Sequence, residues 1–257
     1  MKISRLILKT ADALISFIIV LSLIIAGVYA SYALWDNNRV YASAGDVQDD
    51  MIKLKPKIDE DESGPSFEDL LAVNSDVRAW VSLNGTEIDY PILQGNTNLS
   101  YINTDVYGNF ALAGSIFLDS RNDASFHDTY SLLYGHSMEN SRMFGDLNLY
   151  KEESFFRENQ TGTLILPNKV YNLRIIACLI VPSSEDSIFV PDQWQGDIVE
   201  LLSFTENNAL YLNNDVIKDM KSVNEAPQLL SFTTCSSEFT DARTVILAVM
   251  KPSSTSN

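Results

Sequence analysis

The chain holds few of the residues that usually announce a mechanism. Its 257 residues include two histidines and two cysteines, so a cysteine enzyme relying on an imidazole would have little choice of partner. Two cysteines allow one internal disulfide at most, and a domain of this size does not need one to fold. Basic residues are also scarce, with 18 Lys and Arg against 34 Asp and Glu, a formal net charge of −16. Binding to phosphate backbones needs clustered cations, so this balance excludes nucleic acid as a partner and disfavours close approach to anionic lipid. No internal repeat or low-complexity tract occurs. The acidic run Asp59-Glu60-Asp61-Glu62 lacks the Gly and terminal Glu spacing of an EF-hand and reads as a solvated tether. Nothing in the sequence calls for a metal or a cofactor.

What the chain does have begins at its N-terminus. No charged residue occurs between positions 13 and 35, a run of 23 rich in Leu, Ile, Val and Ala. A helix of roughly 20 apolar residues crosses the hydrocarbon core of a bilayer, so this run can span one. Lys2, Arg5 and Lys9 precede it, and no basic residue follows until Arg39. The positive-inside bias then leaves residues 1–12 in the cytoplasm and places everything after the run outside, in single-pass topology. A cleaved signal peptide shares the basic start and apolar middle, and Val28 and Ala30 could precede a cut. The run exceeds the roughly 7–15 residues of a signal core, which favours a retained anchor.

Residues 36–65 are polar and without apolar periodicity, and read as a juxtamembrane linker, in part helical. A folded domain is expected over 66–251, with a tail at 252–257. It opens with Ser66 and Asp69 spaced as a capping box before Leu70, Leu71 and Val73. Runs at 79–83 and 86–90 flank Asn84-Gly85, the strongest two-residue hairpin signal. Further β-rich runs follow at 114–118, 130–134, 163–166, 170–181, 228–234 and 244–250. Between the runs ending at 181 and beginning at 228, Asp197 can cap a helix over 198–204, with 205–220 continuing as a second helix or a turn. The pattern is mainly β, a mostly antiparallel barrel or closed sheet decorated by helices, rather than alternating βα units.

Five residues could carry chemistry, and for some of them a plainer reading competes. His136 lies in L-L-Y-G-H-S-M, just past a strand end, where Gly135 permits a sharp turn. His127 sits in a polar segment beside Asp128 and reads as a surface histidine. Cys178 lies within a buried strand and reads as a small hydrophobe. Cys235 ends the strand P-Q-L-L-S-F-T-T-C, where a thiol can meet solvent. Arg243 opens the next strand, eight residues later. If the connection 236–242 closes an antiparallel hairpin, Cys235 and Arg243 become neighbours, and a guanidinium there can favour a thiolate or hold an oxyanion. Alternatively, Arg243 pairs with Asp241 or Glu238. Taken together, Cys235, His136 and Arg243 supply a nucleophile, a proton carrier and a charge stabiliser.

Residues 230–235, L-S-F-T-T-C, resemble the Thr-x-Thr-Cys signature of sortases, with Thr233, Thr234 and Cys235 at the C-terminal end. Ser231 or Phe232 stands where the first motif Thr would fall. Residues 134–147, Y-G-H-S-M-E-N-S-R-M-F-G-D-L, resemble the histidine segment of class B members. Residues 77–80, V-R-A-W, and 85–94, G-T-E-I-D-Y-P-I-L-Q, resemble the start of that class's catalytic domain. The resemblance spans about residues 66–251 in the family order His, Cys, Arg. It implies an eight-stranded antiparallel/mixed β-barrel with N-terminal helices and a helical insertion before the Cys strand. It also implies Cys235 as nucleophile, His136 as general acid/base and Arg243 as oxyanion or substrate stabiliser, with substrate contacts from Thr233, Thr234 and Ser231. The implied substrate is a surface protein bearing a Pro/Thr-containing C-terminal sorting signal. The implied acceptor is an amine of a peptidoglycan precursor or, in some members, a pilin lysine. No Asp-Pro-aromatic lid of the pilus-type class C kind occurs in residues 36–66.

Two other readings use the same residues. A surface cysteine endopeptidase would pass its acyl group to water instead of an amine. A non-enzymatic exported adhesin or scaffold would carry Cys235 and His136 incidentally. Walls of a substrate pocket are expected from 183–196, the helical insertion and 236–241.

Overall fold

A computed structural model describes residues 2–57, 64–222, 227–235 and 240–253. Residues 1–42 form one compact unit and residues 43–257 a second. The apolar run lies in helix α1 (Lys2–Ile52), which from Lys9 on is long and apolar enough to cross a membrane. The end of α1 belongs to the second unit, where Ala44, Gln48 and Met51 are buried. These three recur at i, i+4 and i+7, so they share one helix face. Part of the stretch read as linker is therefore packed helix. Three residues in an otherwise polar segment are too sparse to register as a period. Helix α2 (Phe67–Val73) carries the expected capping box. The Asp69 N–H donates to Ser66 Oγ, and the Ser66 N–H donates to the Asp69 carboxylate.

The strands are β1 (Val77–Leu83), β2 (Asp89–Leu93), β3 (Ile116–Leu118), β4 (Tyr130–Tyr134), β5 (Thr161–Leu166), β6 (Lys169–Pro182), β7 (Ala209–Leu212), β8 (Gln228–Cys235) and β9 (Ala242–Pro252). Helices α3 (Glu153–Glu158), α4 (Asp186–Phe189), α5 (Val199–Asn208) and α6 (Asn214–Ser222) lie between them. Strand order is β5-β1-β2-β3-β4-β8-β9-β6, and β5 pairs with β6 to close an eight-stranded barrel. The pairs β2–β3 and β4–β8 are parallel and the others antiparallel, so the barrel is mixed. Closure removes free edges.

Two elements differ from the sequence reading. The turn at Asn84-Gly85 forms, but β2 begins at Asp89 rather than near 86. Thr86 Oγ1 donates to Leu83 O and accepts from the Ile88 N–H, a local hydroxyl bond that competes with the ladder. Residues 209–212 form β7, not helix or turn. They add to β6 beyond Arg174, where its pairing with β5 ends.

Strand alternation sorts the core. Leu133, Leu230, Phe232, Ile246 and Ala248 line the barrel interior. On the outer face of the same strands, Leu132, Leu229, Val245 and Leu247 pack beneath the insertion through Ile188, Leu201, Val216 and Ile217. Each such buried side chain contributes roughly 1.5–3 kcal/mol, enough to make the insertion part of the wall. A third cluster joins Met51, Phe67 and Leu70 to Trp80 and Leu93.

Cys178 is buried in the interior cluster. It pairs with Ile246, which pairs with Phe232, three positions before Cys235. Two strand spacings and three residues put the two Cα atoms on the order of 14 Å apart. A disulfide tolerates about 7 Å at most, so these cysteines cannot be bridged.

Candidate active site

Two strand registers bring the site together. In the parallel pair β4–β8, Tyr134 lies beside Thr233, and the Gly135 N–H still donates to Thr233 O at 3.2 Å. Carried two residues further, this register sets His136 beside Cys235. In the antiparallel pair β8–β9, Cys235 lies directly opposite Arg243. By register, His136, Cys235 and Arg243 extend one row across the ends of three adjacent strands, with His136 two residues past the last residue of β4. Arg243 continues the odd-numbered row of β9, a row of the outer face with Val245 and Leu247. The row stands at the end of the wall, just past the hydrophobic layer beneath the helical insertion.

The histidine has a defined partner. His136 Nε2 lies 2.7 Å from the carbonyl oxygen of Ile102, in the segment between β2 and β3. A carbonyl only accepts, so this hydrogen bond requires the proton on Nε2 and leaves Nδ1 as the other exchange site. Gly114 makes the Ile102 position possible. At φ +58° it packs so closely that a Cβ would sit 2.4 Å from Ile102 O.

The loop after His136 is held against its own preference. Asn140, Ser141 and Met143 all adopt left-handed backbone, with φ of 57°, 57° and 53°, at a cost of roughly 1–2 kcal/mol each. Several straps offset this. The Phe144 N–H donates to His136 O at 2.9 Å. The Met143 N–H donates to the Tyr90 hydroxyl at 2.9 Å, and Arg142 donates to Gln48 Oε1 of α1 at 2.7 Å. Gln48 in turn donates to Glu87 O at 2.9 Å. Burial raises the Tyr90 hydroxyl far above its ordinary pKa, so it stays neutral.

Arg243 donates to the Ala242 carbonyl at 3.0 Å. Among the described residues it makes no ion pair with Asp241, and Glu238 lies outside them. Ser231, Thr233 and Thr234 are all buried, and the Thr233 hydroxyl is committed to Leu133 O at 3.1 Å. The hydroxyls of these three residues, expected as substrate contacts, are enclosed within the fold. His127 is a surface residue 3.4 Å from Asp123. Of the expected pocket walls, residues 236–239 lie outside the described residues, and α4 is tied to Arg121, which donates to the Phe189 carbonyl at 2.6 Å.

One buried charge underlies the histidine strand. Asp119 accepts from Arg121 at 2.8 Å, from Asn98 at 2.9 Å and from the Tyr134 hydroxyl at 3.0 Å. Burial alone would raise its carboxyl, but the bonds from Arg121 and Asn98 outweigh that and hold it below the usual carboxylate value. Sequence reasoning missed Asp119, Ile102, Gln48 and Tyr90. Asp119 and Arg121 are two apart in a loop, and no periodicity marks such a pair.

No protein-family model matches the chain. The chain is 28% identical over 187 residues to sortase B of Staphylococcus aureus, covering 73% of this chain and 74% of that protein. A crystal structure of a Streptococcus pyogenes class B sortase involved in pilus biogenesis is 33% identical, with TM-score 0.64, and the match covers 72% of this chain and 97% of that one. A Staphylococcus aureus sortase B–substrate complex is 27% identical, with TM-score 0.61, over 73% of this chain and 85% of that one. A mixed eight-stranded barrel with these relatives defines a cysteine transpeptidase of the sortase fold. Within that fold, the chain belongs to the class B sortases.

Proposed function

We propose that this class B sortase is anchored by the apolar part of α1, with its barrel outside the cell, and cleaves a C-terminal sorting signal of surface proteins. The reading is supported by the β8–β9 register, which sets Cys235 opposite Arg243, and by the parallel β4–β8 pairing, which ends two residues before His136. Cys235, as thiolate, attacks the carbonyl carbon of the Thr in a Pro/Thr-containing signal. The guanidinium of Arg243 stabilises the oxyanion, and His136 protonates the departing amine. The peptide bond breaks and a thioester to Cys235 remains. A second amine then attacks the thioester, passes its proton to His136 and releases Cys235 as the thiolate.

The acceptor in this reading is an amine of a peptidoglycan precursor. A pilin lysine is the second candidate, because a relative that matches over 97% of its length takes part in pilus biogenesis. The test uses the full chain in lipid nanodiscs with a Pro/Thr sorting peptide, alone, with triglycine, or with a lysine-bearing peptide. Amine-dependent ligated product supports the transpeptidase, and the preferred amine selects the acceptor class. Cleavage that ignores both amines would replace the reading with a hydrolytic protease. No cleavage of any Pro/Thr peptide would contradict it.

A further inference from the structure

Beneath the row lies a second row that no part of this mechanism uses. Ser137 follows His136, Thr234 precedes Cys235 and Thr244 follows Arg243. Ser137 and Thr244 both meet Asn148, on the 3-10 turn Gly145–Lys151 that closes the histidine loop, and Thr234 lies opposite Thr244 in register. Asn148 Nδ2 donates to Ser137 Oγ at 3.0 Å and to Gly145 O at 3.2 Å. Its Oδ1 accepts from Thr244 Oγ1 at 3.0 Å. Thr244 is fully buried, and Thr234, opposite it in register, has a buried hydroxyl without a hydrogen-bond partner among the described residues. Gly145 is fixed as well, since a Cβ there would sit 2.1 Å from Met138 O.

A planar amide suits this place. It offers two donors and an acceptor in fixed geometry, so one side chain can join both stems of the histidine loop to the strand that carries Arg243. β4 and β9 are not neighbours in the barrel; β8 lies between them. Asn148 is thus a hydrogen-bonded link between the two flanks of Cys235 that does not run through the Cys strand. We propose that Asn148 is a positioning residue that sets the spacing of His136 and Arg243 on either side of Cys235 by holding Ser137 and Thr244. The proposal rests on the sortase reading for the roles of that row. Misplacing reacting groups by about 1 Å can cost on the order of a hundredfold in rate.

The variant Asn148→Leu keeps the volume and removes all three hydrogen bonds. In the full chain in nanodiscs, the expected result is a fall in kcat of roughly ten- to hundredfold per titrated thiol, with KM for the sorting peptide within about twofold. A second readout is the pH profile of Cys235 alkylation by iodoacetamide, expected to shift or flatten once His136 no longer stands at its place. A change in either readout supports the proposal. A lower melting temperature with both readouts unchanged would overturn it, leaving Asn148 a purely structural residue. Should Asn148→Leu not fold, Ser137→Ala and Thr244→Val each remove one arm and are judged by the same two readouts. If the parent chain transfers no peptide, the sortase reading fails, whereas the alkylation profile still decides the role of Asn148.

Discussion

Asp119 illustrates how a single side chain supports the site without belonging to its chemistry. Its carboxylate is fully buried, and it is satisfied by Arg121, Asn98 and the Tyr134 hydroxyl. Removing one partner of a buried ion pair costs roughly 3–5 kcal/mol, and the partial exposure of Arg121 lowers that to about 2 kcal/mol here. Asp119→Asn should therefore lower the melting temperature at neutral pH by roughly 4–8 °C. The folded carboxyl titrates below its unfolded value of about 3.9. Its stabilisation is thus complete above that value and is lost as pH falls through the lower folded one. Melting curves of parent and variant should converge below about pH 4, and a gap that stays constant with pH would contradict the assignment. The two cysteines give a simpler contrast. Cys178 is buried in the core, so iodoacetamide should label Cys235 and spare Cys178 in the folded chain. Equal labelling of both would count against an activated thiol.

Single elements carry two further expectations. Gly114→Ala places a methyl against the carbonyl that holds His136. It should cost about 1–3 kcal/mol and lower kcat more than it raises KM. The end of α1 is the second case. A chain beginning at 66 loses buried Met51 and the Gln48 strap on the histidine loop. It should unfold at least about 3 kcal/mol more easily than one beginning at 43, as measured by denaturant titration. Equal midpoints would show that residues 43–52 add nothing. These elements also mark what the sequence could and could not reveal. Strands β4, β6, β8 and β9 were legible because apolar, aromatic or β-branched runs are bounded there by Gly, Pro or Asp. The proximity of Cys235 and Arg243 was legible because hairpin neighbours are local. The closeness of His136 to Cys235 depends on a parallel pairing across about a hundred residues, and only the family resemblance anticipated it. Gln48, Ile102 and Asn148 act through an amide or a backbone carbonyl, groups that leave no pattern in a single sequence.

On the scale of the whole molecule, an acidic barrel closed on itself carries the proposed reactive row at one end of its wall, beside the strapped histidine loop. In the proposed mechanism Cys235 acts as the thiolate while His136 gives a proton, so turnover should be bell-shaped in pH. A flat rate from about pH 5 to 9 would mean that the two do not act as a pair. The most direct measurement of the central claim is intact-mass spectrometry of the full chain in nanodiscs after incubation with Pro/Thr pentapeptides, before and after triglycine is added. The account predicts an acyl adduct mapped to Cys235, absent in Cys235→Ala, that disappears as ligated peptide forms. An adduct located elsewhere, or ligated product made equally well by Cys235→Ala, would contradict it.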